Sequence, residues 1–287
     1  MDSQTVKPIN TSKTIDCWKL VNGQFSPAKV GVVIEHELPV YVNGAHLATA
    51  SIAPGMEKEF VAGYLFGQGF IESIDDLLSV DIENNTAKVI LKDNRQASLG
   101  AGKTSYRIVS GGGRSAYAGE SAFRKITSDI RVRKGDIFNA MNTLFKNAGL
   151  YSETEGVHAA GLFTTTTQPL CLVEDIGRHN TLDKVVGFTL LNKVECSKTF
   201  LVSTGRMASE MVTKVCRAGI PIVATKTAVT DKGLEIGKQC GLTVIGFVRD
   251  AGTRINTDMD VRVIKEAGMK IYSGASRIIC EKYRNLR

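Results

Sequence analysis

In the first part of the chain, apolar and polar residues alternate with a period of two. LPVYVNGAHLATA (38–50) alternates on both sides of Asn43-Gly44, a dipeptide suited to a tight hairpin turn. SVDIENNTAKVILK (79–92) repeats the pattern around Asn84-Asn85. Between them, MEKEFVAGYLFGQG predicts a helix that gives out at Gly67 or Gly69. The β-rich pattern starts at Lys29, and the first ten to fifteen residues are polar and read as a loose end.

A Gly/Ser-rich passage from Ser98 to Ser121 follows, and the grammar changes after it. We therefore divide the chain into a β-rich N-terminal domain, residues 1–120, and a second domain, residues 121–287. DIFNAMNTLFKNAG predicts an amphipathic helix with Asp136 as N-cap, a stripe of Ile137, Met141, Leu144, Phe145 and Ala148, and Gly149 at its end. Four short apolar segments come next: CLVEDI, TFLVST, PIVATK and LTVIGFV. Helical patterns separate them, over Asn180–Leu191, Ala208–Ala218 and Asp231–Cys240. This alternation predicts an α/β fold with a parallel or mostly parallel sheet. Ligands of such sheets gather beyond the C-terminal strand ends.

Two of these units align. CLVEDIGRHNTLDKVVG and TFLVSTGRMASEMVTKV each run strand, Gly-Arg, an acid about one helical turn after the arginine (Asp183, Glu210), and a helix leading away. Glycine permits close backbone approach, the start of a helix leaves N–H groups unsatisfied, and arginine offers a planar fork to a phosphate. Two such turns suit a pyrophosphate or two separate phosphates. The alternative stays open that Arg178 pairs with Asp183 and Arg206 with Glu210, each merely stiffening its own turn. EDIGRHN also places His179 at a strand end, where a general acid/base role or hydrogen bonding to a base is chemically reasonable. His158 occupies a second polar loop.

Composition narrows the class. With 43% apolar and 23% charged residues the chain reads as a soluble globular protein, and no apolar run is long enough to span a membrane. The N-terminus lacks the regions of a signal peptide, and the six cysteines are scattered without a CxxC pair. A reducing cytoplasm is the expected compartment, with neither a disulfide framework nor a metal site. The net charge of +7 favours anionic partners. The charge is dispersed and lacks a nucleic-acid signature, so a phosphate-bearing small molecule is the better match. The phosphate loop GxxxxGK[ST], GxGxxG, the GxSxG elbow and the zinc-deaminase signature are all missing.

Taken together, EDIGRHNTLDKVVG, STGRMASEMVTKVCRAGIP and LTVIGFVR, with ELPVYVNG, EFVAGYLFGQGFI and GVHAAGLF, resemble the formate dehydrogenase accessory protein family, FdhD/NarQ. The resemblance runs from about Val33 to Arg249. It implies a cytidine-deaminase-like α/β domain with a mixed, mostly parallel sheet, beside a smaller β-rich domain, in a homodimer. It also implies a sulfur carrier that takes persulfide sulfur from a cysteine desulfurase. The sulfur passes to the bis-molybdopterin guanine dinucleotide cofactor of a molybdenum or tungsten formate dehydrogenase apo-enzyme. GDP-like nucleotides would bind as partial mimics.

The candidate cofactor contacts are Arg178, His179, Asn180, Asp183 and Lys184 in the first unit, and Ser203, Thr204, Gly205, Arg206 and Glu210 in the second. The family's nucleotide-binding segment maps onto Phe247, Val248, Arg249, Asp250, Ala251 and Gly252. The chain departs from the family in SGGGRSAYAG, where a CGxCG motif is usual and its first cysteine is thought to hold the persulfide. Ser115 stands in that catalytic position and Ala118 in that of the second cysteine. A serine hydroxyl cannot hold a persulfide and is un-ionised at neutral pH, whereas a thiol with a pKa of about 8.5 is partly ionised. The alternative is therefore a cofactor-binding chaperone with no sulfur chemistry of its own. A small-nucleotide hydrolase on the same scaffold would need zinc ligands that the sequence lacks.

Overall fold

The computed structural model describes residues 10–92, 106–108, 125–250, 254–257, 260–263 and 266–280. Two sheets organise the chain. In the first, β3 (His36–Val42) and β4 (Ala45–Ile52) form a hairpin. β5 (Leu77–Glu83) and β6 (Thr86–Leu91) form another, and β7 (Tyr106–Ile108) joins at the edge, in the order β5-β6-β3-β4-β7. Both predicted turns are present. Asn43 and Gly44 have φ of 48° and 84°, and Asn84 and Asn85 have 47° and 59°, the left-handed pair that matches strand twist. Leu38, Val40 and Val42 point inward on alternate positions of β3 and pack on Phe60, Val61 and Leu65 of α1 (Glu57–Gly67).

Strands begin earlier than the sequence suggested. β1 (Ser12–Val21) and β2 (Gln24–Val33) pair as a separate ribbon that turns at Asn22-Gly23. Trp18 and Phe25 near its tip are each 71% exposed. Apolar residues lie on both faces, so no alternation marks the strands in the sequence.

The second sheet has the order β10-β9-β11-β12-β13-β16. The four predicted apolar segments are β10 (Pro169–Asp175), β11 (Thr199–Ser203), β12 (Ile222–Thr225) and β13 (Thr243–Arg249). The pairings make all four run in one direction, while β9 (His158–Thr164) and β16 (Gly268–Ser273) run against them. The fold is α/β and the sheet mixed, with a parallel centre. β9 sits between β10 and β11, the strands of the two near-repeats.

Helices cover both faces. α2 (Lys134–Asn147) packs Ile137, Met141 and Leu144 on the face formed by Phe163, Phe200, Val202, Ile222 and Ile245. α4 (Arg178–Leu191), α5 (Ser209–Arg217) and α6 (Asp231–Cys240) cover Leu162, Leu201, Val223 and Val244 on the other. α2 begins two residues before the predicted cap. β8 (Val132–Arg133), paired with β17 (Ile278–Ile279), delivers the chain straight into it, and Asp136 lies in the first turn, where it complements the helix dipole. The short α3 (Gly149–Thr154) follows α2. The backbone of β14 (Arg254–Thr257) and β15 (Asp260–Val263) forms a small ribbon.

α1 and α4 bind the two halves together. They touch backbone to backbone: a Cβ on Gly63 would lie 1.9 Å from the Asp183 carbonyl oxygen, and one on Gly187 would lie 1.7 Å from that of Glu59. α4 is buried almost all round, which suits a helix between two layers. The domain boundary at residue 120 falls outside the described residues.

Candidate functional site

The site is built around the turn after β10. Asp175, fully buried, closes that turn by accepting from the Gly177 backbone N–H at 3.1 Å and from Asn180 Nδ2 at 2.8 Å. Its other oxygen accepts from the Ala53 N–H at 3.1 Å and from Lys184 Nζ at 2.7 Å. Four donors on one buried carboxylate fix where α4 begins. Glu174 turns the other way and accepts from the N–H groups of Leu150 and Tyr151, the start of α3.

The second turn follows β11. Ser203 Oγ accepts from the Gly205 N–H at 3.1 Å, and Thr225 at the end of β12 donates its hydroxyl to the Gly205 carbonyl at 2.6 Å. The Gly205 position would bring a Cβ to 2.8 Å from Arg178 Cβ, so the two Gly-Arg turns are in direct contact and only glycine allows it. Arg178 opens α4 and is half-buried, whereas Arg206 is exposed in the loop before α5. His158, at the start of the antiparallel β9, enters from the same end of the sheet, with Nδ1 3.4 Å from Thr204 Oγ1. Burial, then Arg178, then Arg206 lower its pKa, which places both arginines within electrostatic reach of the ring.

The acids do not pair with their own arginines. Asp183 on α4 binds Lys214 on α5, and Glu210 on α5 accepts from His179 Nε2 on α4 at 3.2 Å. The two near-repeats are thus cross-linked, each acid held by the other unit. His179 is neutral: burial, then the charges of Lys214, Arg178 and His158, press its pKa down to about 3. Its contact with Glu210 is accordingly a hydrogen bond from Nε2–H, and Nδ1 is a lone-pair acceptor, buried and unpartnered. Arg178 Nε is likewise buried and unpartnered. Two orphaned polar atoms at one strand end are what a ligand site leaves in its absence.

Several predicted contacts have a supporting place instead. Asn180, Asp183 and Lys184 are buried, and Asn180 and Lys184 also donate to the carbonyls of Ser51 in β4 and Ala53 just after it. Their polar atoms are satisfied by protein, so they hold the arginines' scaffold rather than face a ligand. Phe247 has φ of 54°, uncommon for a non-glycine residue, and donates its N–H to the Thr227 carbonyl. Arg249 and Lys270 lie 5.3 Å and 4.7 Å from the centre of its ring. Val248 is buried, and Asp250 accepts from Asn142 Nδ2. Ser115, Ala118, Ala251 and Gly252 lie outside the described residues.

A cavity of about 380 Å³ adjoins the turns, with His158 and Thr204 in its wall. Phe145, Tyr151, Glu155 and Lys226 also line it, and none of these was singled out as a site residue. Lys226 had a legible signal, since it closes the apolar run PIVATK at a strand end.

A family model described as "FdhD/NarQ family" matches residues 33–279. The chain belongs to the FdhD/NarQ family. A sulfur carrier protein FdhD from Methanothermobacter thermautotrophicus is 34% identical over 229 residues, 78% of this chain and 88% of that one. One from Bacillus subtilis is 28% identical over 247 residues, 84% of this chain and 94% of that one. The crystal structure of a putative formate dehydrogenase accessory protein from Desulfotalea psychrophila superposes with a TM-score of 0.74 at 22% identity, covering 94% of this chain and all of that one. The FdhD/NarQ fold is therefore shared along nearly the whole chain. No helix among the described residues is long and apolar enough to cross a membrane.

The FdhD/NarQ relatives are named for sulfur carriage, and the thiols of this member are unevenly suited to it. Burial, then Glu59, pushes Cys171 up to about 12, and burial raises Cys196. Cys216 is held protonated by its hydrogen bond to Cys240, and both are in the core. Cys17 is half-buried in the β1–β2 ribbon and Cys280 is exposed near the C-terminus. No cysteine is among the residues lining the cavity.

Proposed function

We propose that this chain is an accessory protein of formate dehydrogenase maturation that holds the bis-molybdopterin guanine dinucleotide cofactor by its phosphates at the paired Gly-Arg turns. One observation carries the reading: Gly205 of the second turn packs directly on Arg178 of the first, and Arg178 keeps a buried donor unpartnered. Backbone N–H groups at the start of α4 add to the attraction for a phosphate. Burial, then repulsion from Arg206, depress the Arg178 pKa, and a double anion would offset that repulsion. Phe247, flanked by Arg249 and Lys270, extends the same positive rim to the end of β13. The cofactor itself supplies the metal chemistry to the dehydrogenase. The residues here bind it, orient it and shield it.

Calorimetry with GDP as a phosphate-bearing mimic tests this. Arg178→Ala and Arg206→Ala each weaken binding by about 1.5–3 kcal/mol, the range for hydrogen bonds to charged groups. Unchanged affinity in both variants would overturn the paired-phosphate reading.

A second reading adds a sulfur step, in which a cysteine desulfurase loads a persulfide that passes to the bound cofactor. The names of the relatives favour it. Ser115 and the raised pKa values of the buried thiols favour holding without sulfur transfer. Intact mass after incubation with a cysteine desulfurase and cysteine decides: a reducible gain of one sulfur atom supports carriage, and its absence beside a CGxCG-bearing control supports the chaperone.

A further inference from the structure

His158 is held by a group that suits either of its protonation states. It opens β9 opposite Asp175 of β10, and its half-buried ring stands in the cavity wall. Nδ1 lies 3.4 Å from Thr204 Oγ1, and the same oxygen accepts from the Ala159 N–H at 3.0 Å. A hydroxyl donates to the lone pair of a neutral imidazole and accepts from a protonated one. A carboxylate in its place would favour the cation, and a backbone N–H would favour the neutral ring. Among the described residues Nε2 has no hydrogen-bond partner, so that nitrogen is left for a ligand.

The charges around the ring come from several elements. Arg178 and His179 stand at the start of α4, Arg206 in the loop after β11 and Asp175 at the end of β10, while Glu155 and Lys226 line the same cavity. Burial, then Arg178 and Arg206, hold the His158 pKa below its ordinary 6.5, against the pull of Asp175. An anion between the guanidinium groups reverses that balance, since it cancels their field and accepts from Nε2–H. We propose that His158 is a third anion-holding residue of the site, which takes up a proton from solvent as the ligand arrives and returns it on release. The proton goes to Nδ1, and the Thr204 hydroxyl turns from donor to acceptor; no covalent bond other than N–H changes. His179 is not free to do this, because its Nε2 is committed to Glu210 and burial keeps the ring neutral. The inference rests on the reading of the Gly-Arg turns as the phosphate holder and adds the control of their affinity by pH.

Sulfate is the probe, because it remains a dianion throughout the range in which a phosphate, with a pKa of about 6, itself titrates. Calorimetry on the full chain in two buffers of different ionisation enthalpy should show proton uptake approaching about one per sulfate. Affinity should fall about tenfold from about pH 5.5 to about pH 7.5. His158→Gln keeps a donor in place and removes the titration, so its affinity should vary within about twofold over the same range, without uptake. Histidine-selective 15N NMR of the parent chain reads the same event without a substitution. One of the four imidazoles should pass from neutral to cationic as sulfate is added at fixed pH, and that resonance should be missing from His158→Gln or His158→Asn. Affinity independent of pH in the parent, or uptake that persists in His158→Gln, would overturn the proposal. The phosphate reading fails on a different result, an affinity for sulfate and GDP unchanged in both Arg178→Ala and Arg206→Ala.

Discussion

Lys214 on α5 places its ammonium 2.5 Å and 2.6 Å from the two carboxylate oxygens of Asp183 on α4, and both residues are buried. The pair joins the two near-repeats through the core. Removing one partner strands the other charge in a low-dielectric interior. Lys214→Met should therefore destabilise the protein by about 3–5 kcal/mol, while Lys214→Met combined with Asp183→Leu should recover much of the loss. Urea denaturation measures both. A single-variant loss below about 1 kcal/mol would show the pair to be solvated.

Acid sensitivity should trace to His179. Its pKa in the fold is about 3, against an ordinary value of 6.5. A folded pKa below the unfolded one means that stability is fully present above 6.5 and is lost as pH falls toward 3, because the unfolded chain takes up the proton first. The slope is at most about 1.4 kcal/mol per pH unit. His158 is shifted the same way and adds to it. Thermal melting in buffers from about pH 7 to about pH 5 should show a shallower decline for His179→Gln than for the parent. Parallel curves would remove His179 from the account.

The crossing of α1 and α4 should tolerate no side chain. Gly63→Ala would force its methyl against the Asp183 carbonyl, and Gly187→Ala against that of Glu59. Overpacking of this kind costs about 1–3 kcal/mol or more. Gly135→Ala in the first turn of α2 meets nothing within 4 Å and should be neutral or stabilising by about 0.5–1 kcal/mol. Melting temperatures of the three variants separate a specific crossing from a general intolerance of alanine.

Ser115→Cys tests the sulfur step directly. With a thiol of ordinary pKa near 8.5 restored, a desulfurase should load one sulfur atom there, detectable by intact mass and removed by reductant. An inert thiol would show that the surroundings have also lost the function. In the parent chain, Cys171, Cys196 and Cys216 should stay unmodified, since burial holds the first two protonated and the hydrogen bond to Cys240, then burial, holds the third.

Features set by local chemistry were legible in the sequence. Both Asn-containing hairpin turns, the helix ending at Gly67 and α6 from Asp231 to Cys240 were read at or near their ends, because cap and turn residues act within a few positions. β10 to β13 were also found, from short apolar runs. The partner of a strand was not legible, since pairing is a long-range property: β9 inserts between β10 and β11 with no local mark of doing so. The spacing of arginine and acid left open a pairing within each unit, yet Lys214 and His179 take those acids from across the helix interface. Phe145 read as one of the stripe positions of its helix, and only the fold carries it to the cavity beside Lys226.

The bonds around Asp175 also bear on motion. Lys184, Asn180 and Asp175 reach across to Ala53 and Ser51, so buried charge stitches the first sheet to the start of α4. Opening that seam would strip an ammonium and a carboxylate of their partners at once, at several kcal/mol for each ion. Hinge bending there is correspondingly rare, and the halves diffuse and collide as one body. On the reading proposed above, a ligand would approach the arginines from beyond the strand ends without any opening of that seam.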